Sequence, residues 1–411
     1  MEKRIRAFQQ LGFGLFVHYG PYVQYESGEW AYELCRIDPK EYEKKALSCD
    51  YSSFDAEKIA AAAKSCGAKY VTFTTRHHDG FSLYDTRGLS DYDVVHTPNG
   101  RDLVREFVDA CRRNDIVPFF YHTTLDWHHP DFENDFGRYQ QYLRDSVRIL
   151  CENYGPIGGF WFDGNWSKPA QLWEDDALYK VIRQSQPEAI IVNNTGLHAQ
   201  GAFTHPEIDC VTFEQGTPKG WCSGKTQPGE KEYMGEMCYT LCWHWGIAQD
   251  IDIKSMRQIL EAYTACRRVG GNFLLGIFTR LDASQPLLHQ GYLEAIGQWV
   301  KRNEPALFDA VPGEAEGFGK DFMLENGNKR YAFIHDLSTS GDHNVLPGAK
   351  KGYSCFEHVT QKLKNAYWLD SKTPVEYTQD LANERLFVKM EPFSYGQNWV
   401  IRVAAFETEP V

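Results

Sequence analysis

The regular alternation of short apolar runs with longer amphipathic segments, from residue 12 to about residue 305, constrains the fold of this chain most. The apolar runs predict strands at Gly14–His18, Tyr70–Thr75, Val117–His122, Ile157–Asp163, Ala189–Asn194, Asp209–Glu214 and Asn272–Ile277, with a further candidate near Met237–Leu241. Between them, apolar residues recur at three and four positions, which predicts helices at Phe54–Cys66, Asp102–Asn114, Arg138–Tyr154, Leu178–Gln186 and Ser255–Val269. Strands that alternate with helices in this way are typical of a parallel sheet.

Seven or eight such units within about 290 residues favour a closed (β/α)8 barrel, the TIM barrel, over an open sheet. An open, doubly wound sheet would need a glycine-rich phosphate loop after its first strand. The segment His18–Pro21, which follows the first predicted strand, does not have that pattern. The sequence therefore predicts an α/β protein of the TIM-barrel class.

The pattern changes after a long helix that we predict at Leu287–Arg302. Strand-like segments then follow one another, separated by Gly, Asn and Asp, at Lys329–His335, Ala366–Leu369, Leu386–Met390 and Trp399–Phe406. Short strands without intervening helices are typical of an antiparallel β-sandwich. We therefore expect a catalytic barrel over residues 1–308 and a C-terminal β-sandwich domain over residues 309–411.

Charge and composition exclude several classes of partner. The 411 residues carry a formal net charge of −13 without a long run of Lys or Arg, so nucleic acid is not expected as a partner. No run of 18 apolar residues predicts a membrane span, and the first ten residues carry charges where a signal peptide would be apolar. We expect a soluble cytoplasmic protein with reduced cysteines. The sequence leaves open whether it forms a homo-oligomer.

Polar side chains collect where the predicted strands end. They are His18, His77–Asp79, Tyr121–His122, Asp163, Asn193–Asn194 and Glu214, followed by the group Asp126–His129. In a TIM barrel the active site lies at the carboxyl ends of the strands, so these side chains should converge. Imidazole and carboxylate groups hydrogen-bond hydroxyls, and aromatic faces cover the C–H surface of a sugar. The pattern therefore indicates a site for an uncharged, hydroxyl-rich ligand.

Cleavage of a glycosidic bond needs two carboxyl groups, one at the anomeric carbon and one to protonate the leaving oxygen. Asp163 is the best nucleophile candidate because it ends the apolar run Ile157–Phe162, and Gly164 after it allows the backbone to turn. Two residues are candidates for the acid. Glu214 ends a predicted strand near Phe213 and Trp221, whose apolar surfaces would raise its pKa, and the alternative is a loop-borne Glu236.

Several motifs resemble the α-L-fucosidases of glycoside hydrolase family 29. They span nearly the whole predicted barrel in order, and they lie at Gly12–Gly20, Gly28–Trp30, Ala68–Phe81, Tyr121–Trp127, Phe160–Gly164 and Gly270–Leu275. The block His77–Phe81 together with the upstream Phe16–Gly20 is the most specific of them. The chain departs from the family pattern at Thr195, where many relatives have Arg, and at Leu275–Thr279. Both departures bear on the leaving group.

The resemblance implies a retaining exo-acting hydrolase that releases α-L-fucose from a fucosylated glycan or a small fucoside. It implies that Asp163 is the nucleophile and that Glu214 or Glu236 is the acid/base. It also implies that the substrate-binding residues are His18, Glu29, Trp30, His77, His78, Tyr121, Trp127 and Trp161. No metal and no organic cofactor is expected.

Two rival functions use the same residues. A catalytically silent fucose-binding protein would keep the pocket but lack a placed acid; Asp163 argues against it, because a lectin gains nothing from an unpaired carboxylate under the anomeric carbon. A metal-dependent hydrolase would use the His-rich strand ends as ligands.

Overall fold

The computed structural model describes residues 2–218, 231–340 and 349–409. Contacts divide the chain into two compact units, one formed by Met1–Lys254 with Gly271–Glu294 and the other by Ser255–Gly270 with Ala295–Val411. The predicted boundary after residue 308 falls between the last long helix, which ends at Leu307, and the strand that begins at Val311. In the described ranges, no helix combines the length and the apolar character that a membrane crossing requires.

Eight parallel strands close into a barrel in sequence order, which confirms the predicted fold class. They are β1 (Phe13–Val17), β2 (Tyr70–Arg76), β3 (Val117–Thr123), β4 (Gly159–Asp163), β5 (Ile190–Asn194), β6 (Cys210–Glu214), β7 (Met234–Thr240) and β8 (Asn272–Ile277). The last strand pairs with the first, as Phe13 opposite Phe273 shows, so the sheet has no free edge. Seven strands lie within two residues of their predicted bounds; β7 begins three residues earlier than expected.

The helices alternate with these strands along the chain. They are α1 (Lys3–Leu11), α2 (Ala31–Leu34), α3 (Pro39–Ser48), α4 (Ala56–Cys66), α5 (Leu103–Arg113), α6 (Asp131–Asn134), α7 (Phe136–Asn153), α8 (Asp175–Ser185), α9 (Met256–Arg268) and α10 (Leu287–Leu307). The helix α4 shows how local sequence sets the bounds. Asp55 caps its first turn by accepting from the Glu57 amide, and Gly67 ends it in the left-handed conformation.

The helix α1, which the sequence pattern did not predict, closes the amino-terminal end of the barrel. Its Phe8 ring packs against Tyr70 and Phe119 at centroid distances of 5.3 and 5.0 Å. The Asn272 side chain donates to the Phe8 carbonyl at 2.8 Å, and Arg4 forms an ion pair with the buried Asp209. Aromatic side chains and these polar contacts therefore close the amino-terminal end of the barrel. The cavity lies at the carboxyl-terminal end.

The second unit contains the predicted β-sandwich. Its strands are β9 (Val311–Pro312), β10 (Glu316–Gly317), β11 (Phe322–Asn326), β12 (Lys329–Ile334), β13 (Tyr353–Glu357), β14 (Leu363–Trp368), β15 (Tyr377–Asp380), β16 (Arg385–Lys389) and β17 (Arg402–Thr408). They form antiparallel sheets of four and five strands. Side chains from both sheets, including Phe356, Leu386 and Phe406, share one core. Because buried and exposed residues alternate along β16, this strand has one face in the core.

Candidate active site

A cavity of about 880 Å³ lies at the carboxyl ends of the barrel strands. Nine of the predicted site residues line it: His18, Glu29, Trp30, His77, His78, Tyr121, Trp161, Asp163 and Glu214. Two others, Trp127 and Glu236, are not among the residues that line it. The structure therefore gathers most of the residues that the sequence proposed, from five of the eight strands and the loops that follow them.

Asp163 is the last residue of β4, and four side chains contact its carboxylate. Tyr121 donates to Oδ2 at 3.0 Å, and His78 Nε2 lies 3.5 Å from the same oxygen. The other oxygen, Oδ1, accepts from Trp166 Nε1 at 2.8 Å and from Asn194 Nδ2 at 3.1 Å. The side chain keeps 13% of its exposure, so it is held in place and still faces the cavity.

These contacts favour the ionised form of Asp163. Burial would raise the pKa of this carboxyl, but the hydrogen bonds from His78, Trp166 and Tyr121 outweigh burial and hold the pKa below its usual value.

The turn after the strand depends on Gly164, as the sequence predicted. Gly164 has a φ of 121°, and a Cβ there would lie 2.5 Å from the Leu125 amide nitrogen, so only glycine fits.

Glu214 ends β6 and shares a hydrogen-bond partner with Asp163. The side-chain amide of Asn194 donates to Glu214 Oε2 at 2.8 Å as well as to Asp163 Oδ1 at 3.1 Å. Asp163 Oδ1 and Glu214 Oε2 contact the same nitrogen, so their separation cannot exceed the sum of the two distances, about 6 Å. Carboxyl groups of retaining glycosidases stand about 5–5.5 Å apart and those of inverting ones about 6.5–9.5 Å. An upper limit of about 6 Å between these two oxygens is consistent with the retaining arrangement.

The environment of Glu214 acts on its pKa in the opposite direction from that of Asp163. Burial and the nearby negative charge of Asp163 raise the pKa of Glu214 to about 7, against the hydrogen bonds from Asn194 and Trp245. Trp221, which we expected beside Glu214, lies outside the described residues. When the pKa values of two neighbouring carboxyls differ in this way, one group can remain protonated as an acid while the other is ionised as a nucleophile.

Glu236 is not on a loop, as we had expected, but is the third residue of β7, with its side chain inside the barrel. It is 1% exposed, and its carboxylate accepts from Tyr70 OH and from Trp161 Nε1 at 2.9 Å. Burial raises its pKa to about 7. Tyr70 and Trp161 belong to the barrel core, so this carboxyl lies behind the wall of the cavity.

Three histidines line one side of the cavity and are all buried. The pKa of His18 falls to about 3, and that of His77 falls well below its usual value, because burial disfavours the charged ring. Nδ1 of each of these two rings has no hydrogen-bond partner among the described residues. His78 differs, since its Nδ1 contacts Thr123 Oγ1 at 2.7 Å and its other nitrogen faces Asp163.

Glu29 and the aromatic residues complete the inner wall. Glu29 accepts from the backbone amides of Trp245 at 3.0 Å and Gly246 at 2.8 Å, which ties two loops together. Trp245 stacks on His18 at a centroid distance of 5.4 Å. Trp127 does not line the cavity but packs edge to face against Trp30, at 5.0 Å, and so supports a residue that does.

Other polar residues at the strand ends have structural roles. His122 points away from the cavity, with Nδ1 on the Thr123 carbonyl at 2.8 Å. Asp79 accepts from Tyr42 OH at 2.7 Å, and Asp126 accepts from the amides of His128 and His129. Within residues 2–218, 231–340 and 349–409, no group of three or more His, Cys, Asp or Glu side chains has the geometry to hold a metal ion.

Three contributors to the site were not proposed from the sequence: Trp166, Asn194 as a bridge between carboxyls, and Trp245. Asn194 had been noted as a polar strand end, and its position opposite Asp163 in the register of β4 and β5 is the signal that could have found the bridge. Trp166 and Trp245 lie on loops, where periodicity says nothing about side-chain direction.

Comparisons with known proteins identify the family of this chain. The family model described as α-L-fucosidase matches residues 2–305. The tissue α-L-fucosidase of Mus musculus is 26% identical over 344 residues, which cover 74% of this chain and 71% of the mouse protein. The chain spans 66 to 71% of the length of the curated relatives it matches.

Solved structures extend the likeness over the whole chain. The α-L-fucosidase isoenzyme 1 from Paenibacillus thiaminolyticus is 29% identical, with a TM-score of 0.82 and 99% of both chains covered. A family 29 enzyme from Bacteroides thetaiotaomicron, trapped as a covalent intermediate with 2-fluoro-fucosyl fluoride, has a TM-score of 0.82 at 21% identity. The match covers 100% of this chain and 97% of the Bacteroides chain. This chain therefore belongs to the α-L-fucosidase family of glycoside hydrolases.

Proposed function

We propose that this protein releases α-L-fucose from the end of a fucosylated glycan or from a small fucoside by double displacement, with Asp163 as nucleophile and Glu214 as acid/base. The observation that carries the proposal is the Asn194 amide, which contacts both carboxyl groups and holds them within about 6 Å of each other. The trapped covalent intermediate of the Bacteroides relative is the species that such a mechanism requires.

The two carboxyls divide the work according to their pKa values. Near neutral pH Asp163 is ionised, because its hydrogen bonds lower its pKa, and it can attack the anomeric carbon. Glu214, with a pKa of about 7, is protonated in a substantial fraction of molecules and can give its proton to the leaving oxygen.

The first step forms a bond between an Asp163 oxygen and the anomeric carbon while the glycosidic C–O bond breaks and the leaving oxygen takes the proton of Glu214. In the second step the Glu214 carboxylate takes a proton from water, whose oxygen attacks the same carbon and releases Asp163. Both oxygens of Asp163 have donors, so its charge is stabilised before attack and again when the ester breaks.

The histidine wall suits a neutral sugar. His18 and His77 line the cavity and are uncharged at neutral pH, and a neutral imidazole can exchange hydrogen bonds with the hydroxyls of an uncharged sugar. Tyr121 and Trp161 stack on each other at 5.7 Å and form part of the cavity wall. The interior packing beneath them closes the barrel, which favours a terminal sugar over an internal one.

The test is hydrolysis of an aryl α-L-fucoside beside matched aryl galactosides, with the first-formed anomer of the product followed by proton NMR. We expect turnover of the fucoside and release of the α-anomer first. Release of the β-anomer first would contradict the retaining mechanism. Binding of fucose without turnover would indicate the catalytically silent fucose-binding protein instead.

A further inference from the structure

Two loop segments that line the cavity contain side chains with no role in the proposed chemistry. One contains residues 195–199, and the other contains Trp243. Each exposes a large apolar side chain at the cavity, because Leu197 is 56% exposed and Trp243 is 61% exposed. Exposed apolar surface that is continuous with a binding cavity usually contacts a ligand.

Both loops are attached to the strand end that carries Glu214. Gln200 Nε2 donates to the Glu214 carbonyl at 2.7 Å, which holds the first loop against β6. On the other side Gln215, the next residue, donates to Thr240 Oγ1 at 2.9 Å where the second loop begins. The apolar surface therefore flanks the acid.

Trp243 is exposed but held in position. Its indole Nε1 donates to Asp252 Oδ2 at 2.9 Å across the loop, and the Lys254 ammonium lies 5.2 Å from its ring centroid. Lys254 also closes the base of the loop, since its backbone amide donates to the Leu241 carbonyl at 3.0 Å. A pre-positioned ring loses little conformational entropy when a ligand stacks on it.

We propose that Trp243 and Leu197 form the subsite for the leaving group and that its occupant is a pyranose, whose C–H face stacks on the Trp243 indole. The inference rests on the proposed function, because an acid must lie within hydrogen-bond reach of the oxygen it protonates. The leaving sugar must then sit beside Glu214, where these two loops are attached. A flat indole face matches a pyranose ring that presents axial C–H groups.

The experiment compares two kinds of substrate with each variant. One is α-L-fucosyl fluoride, whose leaving group has no ring, and the others are disaccharides in which fucose is linked to galactose or to N-acetylglucosamine. The variants are Trp243→Ala, Trp243→Phe and Ile251→Ala. Ile251 lies in the same loop and is 94% exposed, but it does not line the cavity, so it is the matched control.

We expect Trp243→Ala to lower the ratio of kcat/KM for the preferred disaccharide to kcat/KM for the fluoride by about tenfold, the loss of one aromatic contact. Trp243→Phe, which keeps an aromatic face, should recover most of the ratio, and Ile251→Ala should keep the wild-type ratio. A wild-type ratio in Trp243→Ala overturns the subsite, even if kcat/KM for the fluoride and for the disaccharide fall together. If the wild-type protein hydrolyses neither substrate, the proposed function itself fails.

Discussion

The indole of Trp166 donates a hydrogen bond to the Asp163 carboxylate at 2.8 Å although 38% of this tryptophan is exposed to solvent. An exposed tryptophan is usually interpreted as a binding surface, but this one also stabilises the negative charge of the proposed nucleophile. Charged hydrogen bonds of this kind contribute about 1.5–3 kcal/mol. Trp166 therefore belongs to the machinery that keeps Asp163 ionised.

Replacing Trp166 by Phe should remove this donor and raise the pKa of Asp163, since the hydrogen bond favours the ionised form. Because the nucleophile must be ionised, we expect the acidic limb of the kcat/KM profile to move to higher pH. The loss in kcat/KM near pH 6 should be about tenfold. The control is Trp173→Phe, since Trp173 does not line the cavity. An acidic limb that stays in place would show that the indole acts only by packing.

Replacing Asp163 by Asn should lower turnover by several orders of magnitude without unfolding the protein, because the covalent intermediate cannot form. The folded state should persist because Asn keeps the shape that Tyr121 and Trp166 contact. Circular dichroism and the melting temperature check the fold, and an activated aryl fucoside checks the rate.

Asp163→Gly provides a second readout. Azide or formate should restore part of its turnover by entering the space of the missing carboxylate. Near-normal turnover of a clean Asp163→Asn preparation would exclude Asp163 as the nucleophile.

Most strands could be predicted because they are short runs dominated by apolar and β-branched residues, as β8 shows with identical predicted and observed bounds. The helix α1 was not predicted, because Ile5, Phe8 and Leu11 recur at helical spacing over only nine residues that begin among charges. The first carboxyl could be found because Asp163 ends a strand. The start of β7 was placed three residues too late, and that error made Glu236 a loop residue when its side chain faces the barrel core.

The site contacts that could not be predicted from the sequence are made by loop residues. Trp245 and Glu29 meet through a backbone amide of one and the side chain of the other, 216 positions apart in sequence. No local pattern encodes such a contact, because it depends on how two loops close over the barrel. The residue pattern alone revealed the polar strand ends, whereas Glu29 and Trp30 were found only through the motif Gly28–Trp30.

The His-rich wall should bind the sugar and not a metal. His78 Nδ1 contacts Thr123 Oγ1 at 2.7 Å, and its Nε2 lies 3.5 Å from Asp163 Oδ2 in the cavity wall, where it can also contact a sugar hydroxyl bound beside the carboxylate. We expect EDTA dialysis to leave turnover unchanged, whereas His78→Ala weakens fucose binding in calorimetry by about tenfold or more. His122→Ala is the matched control, since this buried histidine lies outside the cavity. Activity that is lost on dialysis and restored by zinc would contradict this assignment.

Glu236 should affect stability in a pH-dependent way. Its pKa in the folded protein is about 7, above the value of an unfolded Glu, so the folded state binds the extra proton between about pH 4 and 7. Its contribution therefore makes the folded state less stable as the pH rises through this window, by about 3 kcal/mol at most. Glu236→Gln, which cannot ionise, should show a smaller fall in melting temperature between pH 5 and pH 8 than the wild-type protein. The same fall in both would show that Glu236 does not titrate there.

The last prediction identifies the acid. Glu214 must be protonated in the first step, so the rate of that step should fall as the pH rises through about 7, the pKa that burial and Asp163 give to this carboxyl. Replacing Glu214 by Ala should reduce turnover of disaccharides far more than turnover of an activated aryl fucoside, whose phenolate leaves with little protonation. It should also flatten the alkaline limb of the pH profile.

Glu236→Ala is the comparison, because Glu236 has a similarly raised pKa but lies behind the cavity wall, hydrogen-bonded to Tyr70 and Trp161. A normal profile in Glu214→Ala, with a leaving-group-dependent loss in Glu236→Ala, would transfer the role to Glu236; the reverse pattern assigns the proton to the carboxyl that shares Asn194 with the nucleophile.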